Sequence, residues 1–192
     1  MFARLASIGA IMVALGAVPI VTGTASYAAQ ATLSCPGTAQ SGRQLATEVI
    51  FDIGAVPLGA YSLTLTYDAT VLTIASVAGG KNQAFASAPT TNAGSFASGS
   101  TNISAFQTSS VTDPTGGVSV ARVMFNVVGT TSTTTAIGLA LRDLFDTSSS
   151  PVSATATGCM VVLTGPSAAR SPGTGPQRHR RGQAGAGSGS VP

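Results

Sequence analysis

Tryptophan is absent from the 192-residue chain, histidine occurs once, and charge is scarce, with nine Lys or Arg and six Asp or Glu. Each shortage excludes something. Without tryptophan, a flat platform for stacking on insoluble polysaccharide lacks its largest ring. The one histidine, His179, lies in the C-terminal stretch, so the body of the chain has no imidazole for a nucleophilic triad or a His-based metal site. No loop alternates oxygen ligands in the manner of a calcium site, and nothing calls for a metal or cofactor. Glycoside hydrolysis needs two carboxylates across the bond, and the candidates are one Glu and five Asp outside the two ends. Asp143 and Asp146 are close in sequence, but Asp beside a turn more often accepts from backbone amides. The chain reads as non-enzymatic.

The nominal net charge of +3 belongs to the ends. Residues 29–164 hold four cations (Arg43, Lys81, Arg122, Arg142) against six anions (Glu48, Asp52, Asp68, Asp113, Asp143, Asp146), a net of −2. Nucleic-acid binding requires Lys and Arg gathered on one face and is rejected.

Residues 1–28 read as an export signal. Arg4 is followed by the uncharged run Leu5–Val21, and Ser26-Tyr27-Ala28 supplies small residues at the cleavage positions. A membrane anchor is the alternative, but Gly9, Gly16 and Pro19 interrupt the run and no basic cluster follows. No membrane span is expected after cleavage, and the mature chain is expected to be secreted or held at the cell surface. From Gly165 to Pro192, seven glycines and four prolines with no aromatic ring mark a tail that cannot bury enough surface to order itself. Its run Arg178-His179-Arg180-Arg181 reads as a solvated linker or an anion-binding patch. The 44% hydrophobic content is sufficient for a core in what lies between, residues 29–164.

That body alternates with period two. Tyr61, Leu63, Leu65 and Tyr67 fall on one face of a strand, with Ser62, Thr64 and Thr66 on the other. Leu45, Val49, Phe51 and Ile53 point inward against Glu48 and Asp52. Ala121, Val123, Phe125 and Val127 oppose Arg122 and Asn126. Ile137, Leu139 and Leu141 predict a further strand, and Cys159, Val161 and Leu163 the last. Leu141, Leu144 and Phe145 also fit one turn of helix. Turn chemistry at Gly79–Asn82, Asp113–Gly117 and Ser148–Pro151 separates these runs, and residues 84–100 predict a long loop or a weak edge strand. Many short half-buried strands with almost no helix indicate an all-β sandwich or jelly roll. Phe85, Phe96 and Phe106 are the rings with surroundings polar enough to suggest exposure, core packing being the alternative. Asn102-Ile103-Ser104 is also a glycosylation sequon.

Cys35 and Cys159 flank the body. Two cysteines in an exported chain read as one disulfide, two buried thiols being the alternative. A bond between them brings the first and last strands side by side.

The stretch Gly54-Ala55-Val56-Pro57-Leu58-Gly59-Ala60-Tyr61-Ser62-Leu63-Thr64-Leu65-Thr66-Tyr67-Asp68, followed by Val71-Leu72-Thr73-Ile74, resembles the early strands of cohesin domains. Gly117-Val118 leading into Ala121-Arg122-Val123-Met124-Phe125-Asn126-Val127 resembles a later cohesin strand. Ala69 stands where the family usually has proline. The likeness covers roughly residues 32–164. It implies a nine-stranded jelly-roll sandwich that docks a dockerin-like protein in an extracellular polysaccharide-degrading setting. Direct binding of extracellular polysaccharide and a structural or adhesive surface role are the alternatives. By the same resemblance the partner docks on one sheet face, expected to present Ser62, Thr64, Thr66, Arg122 and Asn126, joined by Asn102 and Ser104. An ordinary solvated face is the competing reading of these residues.

Overall fold

The computed structural model describes residues 28–107, 113–130 and 132–165. The export signal expected at 1–28 (Ala28 apart) and the tail expected at 165–192 (Gly165 apart) lie outside the described residues. Among the described residues, no helix is long and apolar enough to cross a membrane.

The period-two runs form eleven strands: β1 (Ala29–Ser34), β2 (Thr38–Gln40), β3 (Gln44–Asp52), β4 (Leu58–Tyr67), β5 (Leu72–Gly79), β6 (Thr90–Thr91), β7 (Ser100–Phe106), β8 (Gly117–Val127), β9 (Thr134–Asp146), β10 (Ala154–Thr157) and β11 (Cys159–Thr164). They make two sheets, ordered β10-β1-β3-β8-β5 and β2-β11-β9-β4-β7-β6. The inward residues anticipated on β3, β4 and β8 are buried, and with Ile137, Leu144, Val161 and Leu163 they form one hydrophobic core. Full burial of each such side chain contributes about 1.5–3 kcal/mol.

Three aromatic contacts organise this core. Tyr61 packs between Phe51 and Phe85, at 5.4 and 5.7 Å between ring centroids, and its hydroxyl donates to the Val120 carbonyl at 3.2 Å. Tyr67 meets Phe125 edge-on at 5.3 Å and donates to the Phe96 carbonyl at 2.8 Å, tying the β6–β7 connection to the core. Tyr61 and Tyr67 therefore both point inward, as their strand alternation implies.

The strand count differs from the nine implied by the family resemblance, because each terminal strand breaks in two. The first is interrupted at Cys35-Pro36-Gly37 and the last at Gly158. Pro36 cannot donate to a ladder. A Cβ on Gly158 would collide with the Ile137 carbonyl, so only glycine lets the chain pass there. Each end crosses from one sheet to the other, and the two ends pair in parallel on both sides, β1 with β10 and β2 with β11. The Cys35–Cys159 disulfide clasps the two crossing points, with Cα atoms 6.2 Å apart. The expected pairing of the first and last strands is present, divided between two sheets.

The helical alternative for Leu141, Leu144 and Phe145 is overturned. Ser62 pairs with Asp143 and Leu63 with Leu141, leaving Arg142 as an extra residue in β9. Such a bulge shifts the inward phase by one, so inward residues stand three apart without a helix. A second bulge leaves Val120 unpaired in β8 and explains why Val120 and Ala121 are both buried. Residues 84–100 form a long connection that includes the two-residue edge strand β6, in keeping with the expected loop or weak edge strand, and the 3₁₀ turns Gln83–Phe85 and Ala93–Ser95 shape it. At Asp68-Ala69, where proline is usual in the resembled family, the Asp68 carboxylate fixes the turn by accepting from the Thr70 amide and hydroxyl at 2.9 and 2.6 Å.

Candidate functional site: the outer face of the six-stranded sheet

The even residues of β4 and β7 point away from the core and meet in register: Ser62 beside Ser104, Thr64 beside Asn102, Thr66 beside Ser100. Arg142 Nε donates to Thr64 Oγ1 at 2.8 Å, and Thr64 Oγ1 donates to Asn102 Oδ1, also at 2.8 Å. The bulge in β9 is what frees Arg142 to make this contact. Five of the seven expected partner-binding residues thus share one outer face, and Arg142 joins them.

The other two do not. Arg122 and Asn126 belong to β8, which pairs with β3 and β5 in the five-stranded sheet. They face solvent on the opposite side of the sandwich. Alternation assigns an outward face to every strand but does not say to which sheet the strand belongs, and the expected single face fails for that reason. Asn126 accepts from Gln44 Nε2 at 3.2 Å. Arg122 lies beside a separate polar group in which Glu48 accepts from Lys81 Nζ at 2.6 Å and from Ser119 Oγ.

Those hydrogen bonds, first from Lys81 and then from Ser119, hold the Glu48 carboxyl below the usual carboxylate range. A lowered folded-state pKa contributes stability above the ordinary value, and that contribution is lost as pH falls through it. Glu48→Gln is therefore expected to reduce the loss of melting temperature between about pH 5 and pH 3 relative to the parent. Superimposable acid titrations of the two proteins, followed by circular dichroism, would remove this role.

Next to β4, the outward residues of β9 are small. Ala140 pairs with Thr64 and Gly138 with Thr66, and Ala136 continues the row to Met160 of β11. The face is consequently flat across its middle. Met160 is 61% exposed and Val162 46%. At the other end Ala60 is in register with both Phe106, 70% exposed, and Phe145. Among the described residues the exposed large hydrophobics are Val56, Phe106, Val128, Met160 and Val162, and three of these occupy this face. Of the rings singled out in the sequence, only Phe106 is exposed; Phe85 is buried and Phe96 packs partly against the core.

Sequence reasoning missed Arg142, Phe145, Met160 and Val162. For Met160 and Val162 the cue was present, since a strand with Val161 and Leu163 inward carries large apolar residues on its wet face as well. For Arg142 and Phe145 the bulge hid it. Asp146, considered for acid/base chemistry, accepts from the Ser148 and Ser150 amides at 2.8 Å each and holds the turn after β9. Among the described residues no group of three or more His, Cys, Asp or Glu is placed to hold a metal ion.

No protein-family model matches the chain, and no curated protein matches it in sequence. Solved structures do. The seventh ScaB type I cohesin of Pseudobacteroides cellulosolvens aligns with a TM-score of 0.60 at 16% identity, over 72% of this chain and 94% of its own. The sixth cohesin of scaffoldin B from Acetivibrio cellulolyticus, solved in complex with a Cel5 dockerin variant, gives 0.59 at 18% over 72% and 100%. A non-cellulosomal cohesin from the archaeon Archaeoglobus fulgidus gives 0.57 at 16% over 72% and 92%. These likenesses define the class: a β-sandwich with the fold of cohesin modules.

Proposed function

We propose that this chain is a non-catalytic docking module that captures a dockerin-type protein on the outer face of its six-stranded sheet. The observation that carries the reading is a polar strip of Ser62, Thr64, Thr66, Asn102 and Ser104, with Arg142 bonded to Thr64, flanked by exposed Phe106 at one end and exposed Met160 and Val162 at the other. Exposed apolar groups offer a protein partner surface to bury, and short polar side chains between them lose little entropy on being covered. The cohesin-like fold supports the choice of partner, since one of the structural neighbours is solved with a dockerin bound. The disulfide supports it too. A disulfide between Cys35 and Cys159 persists in an oxidising compartment, outside the cytosol, which suits a secreted or surface-held protein working on extracellular polysaccharide.

A panel of purified type I dockerin modules, tested by biolayer interferometry, checks this reading. Saturable binding is expected for at least one. Thr64→Arg, which sets a second long cation beside Arg142 in the strip, is expected to weaken binding by at least about tenfold while the circular dichroism spectrum stays that of the folded parent. Arg122→Glu, on the far sheet, is expected to bind as the parent does. Dockerins that ignore the parent protein, or bind it and Thr64→Arg equally, remove this face from consideration.

A further inference from the structure

Among the described residues, Arg142 is the one cation carried by the strands of the six-stranded sheet. Its hydrogen bonds fix the polarity of everything beside it. A guanidinium N–H can only donate, so with Arg142 Nε directed at Thr64 Oγ1 the hydroxyl oxygen accepts, and its own proton goes to Asn102. Asn102 must meet that proton with Oδ1, which turns its amide Nδ2 away from Thr64. The Thr64 hydroxyl is thereby engaged on both sides. What the network leaves unmet is donors: both Nη groups of Arg142 and Nδ2 of Asn102, none with an acceptor among the described residues.

The adjacent anion does not meet them. Asp143 follows Arg142 in β9 and stands in register with Ser62, yet the one ion pair among the described residues is Lys81–Glu48, on the far sheet. Both Arg142 and Asp143 are exposed. The bond through Nε holds the guanidinium in place before any partner arrives, so less freedom is lost when its Nη edge is used. That edge matches the two oxygens of a carboxylate, and such charged bonds are about twice as strong as neutral ones.

We propose that Arg142 is the specificity residue of the docking face, taking a side-chain carboxylate of the dockerin-type partner on its two Nη groups. The proposal rests on the docking reading and deepens it: the partner presents an Asp or Glu to the middle of the strip. Asn102 Nδ2 offers a donor to an acceptor beside that carboxylate. Asp143 opposes the contact by repelling the incoming anion. Thr64→Arg gains nothing from its added charge, since it removes the hydroxyl that latches Arg142 and crowds the fork with a second long side chain.

Binding of the full chain to the panel of type I dockerins is measured by biolayer interferometry for the parent and for single variants. Arg142→Gln is expected to stay folded and to weaken the tightest dockerin about ten- to hundredfold, the range for a bond to a charged group. Arg142→Lys keeps the charge without the fork and is expected to recover only part of that loss. Thr64→Val keeps the volume, removes the latch and is expected to weaken binding severalfold. Asp143→Asn is expected to tighten it severalfold. Each Asp and Glu of that dockerin is then changed in turn to its amide. One is expected to lose as much as Arg142→Gln does, and to lose no more when the two changes are combined. Silence of the whole panel removes the docking reading and this proposal with it. Binding that Arg142→Gln leaves as it was, that Asp143→Asn weakens, or that couples Arg142 to no acidic residue of the dockerin overturns this proposal alone.

Discussion

Replacing Cys35 and Cys159 together by alanine is expected to lower the melting temperature by roughly 10–15 °C. The two residues are 124 apart in sequence, so their bond closes a loop spanning nearly the whole domain. On the chain-entropy view a loop of that size restricts the unfolded chain by about 4–5 kcal/mol, and measured disulfides more often give about 2–4. The bond also sits where both chain ends cross between sheets. Its loss frees β2 and β10, the shortest strands at their sheet edges apart from β6, and these are expected to fray first. Scanning calorimetry with and without reductant checks the assignment, since reduced parent and double variant should melt together. A double variant that melts with the oxidised parent would show that the bond adds nothing to stability.

Phe125→Ala is expected to cost about 3–5 kcal/mol, a large share of the roughly 5–15 kcal/mol that stabilises a domain. The ring is fully buried on β8 of the five-stranded sheet, between β3 and β5, in register with Leu45 and Ile74. Removing it leaves a cavity that those aliphatic neighbours cannot close and deprives Tyr67 of its edge-on partner. The Tyr67 hydroxyl then loses the packing that aims it at the Phe96 carbonyl, and the β6–β7 connection is expected to loosen with it. Urea unfolding measures the loss, and hydrogen exchange at Phe96–Ser98 follows the connection. Phe106→Ala, the same chemical change on an exposed ring, is the contrast, expected to stay within about 0.5 kcal/mol of the parent. Equal losses for the two would contradict their assignment to core and surface.

Much of the sandwich was legible because a strand's side chains alternate strictly between two environments. Tyr61–Tyr67 announced its buried and wet faces without any neighbour in view, and the strand following Gln44 did the same. The pairing of the two cysteines was legible from their number and their places at the limits of the body. Legibility stopped wherever the period slipped. Arg142 and Val120 each add one residue to a strand, and after each the inward phase reverses, so Leu144 looked helical and Phe145 was not placed on any outer face. The terminal strands stopped at Pro36 and Gly158 for reasons of backbone donors and clearance that a pattern of apolar residues does not record. Phe85 was open to exposure or core packing because its sequence neighbours are small and polar, and the turn that holds it folds beneath Tyr61.

The candidate face followed the same division. That Ser62, Thr64, Thr66, Asn102, Ser104, Arg122 and Asn126 point outward is a property of each strand alone, determined by alternation within a few residues of chain. Which of them stand together is a property of sheet order, decided by hydrogen bonds between segments 38 to 78 residues apart, as between Thr64 and Asn102 or Arg142 and Thr64. Local chemistry thus determined two-layered β structure, its buried side and its covalent clasp. Only the tertiary pairing of β4 with β7 and β9 separated Arg122 from Thr64 and brought Phe106 and Phe145 to either side of Ala60, because proximity across a sheet is set by partners that no single stretch of sequence contains.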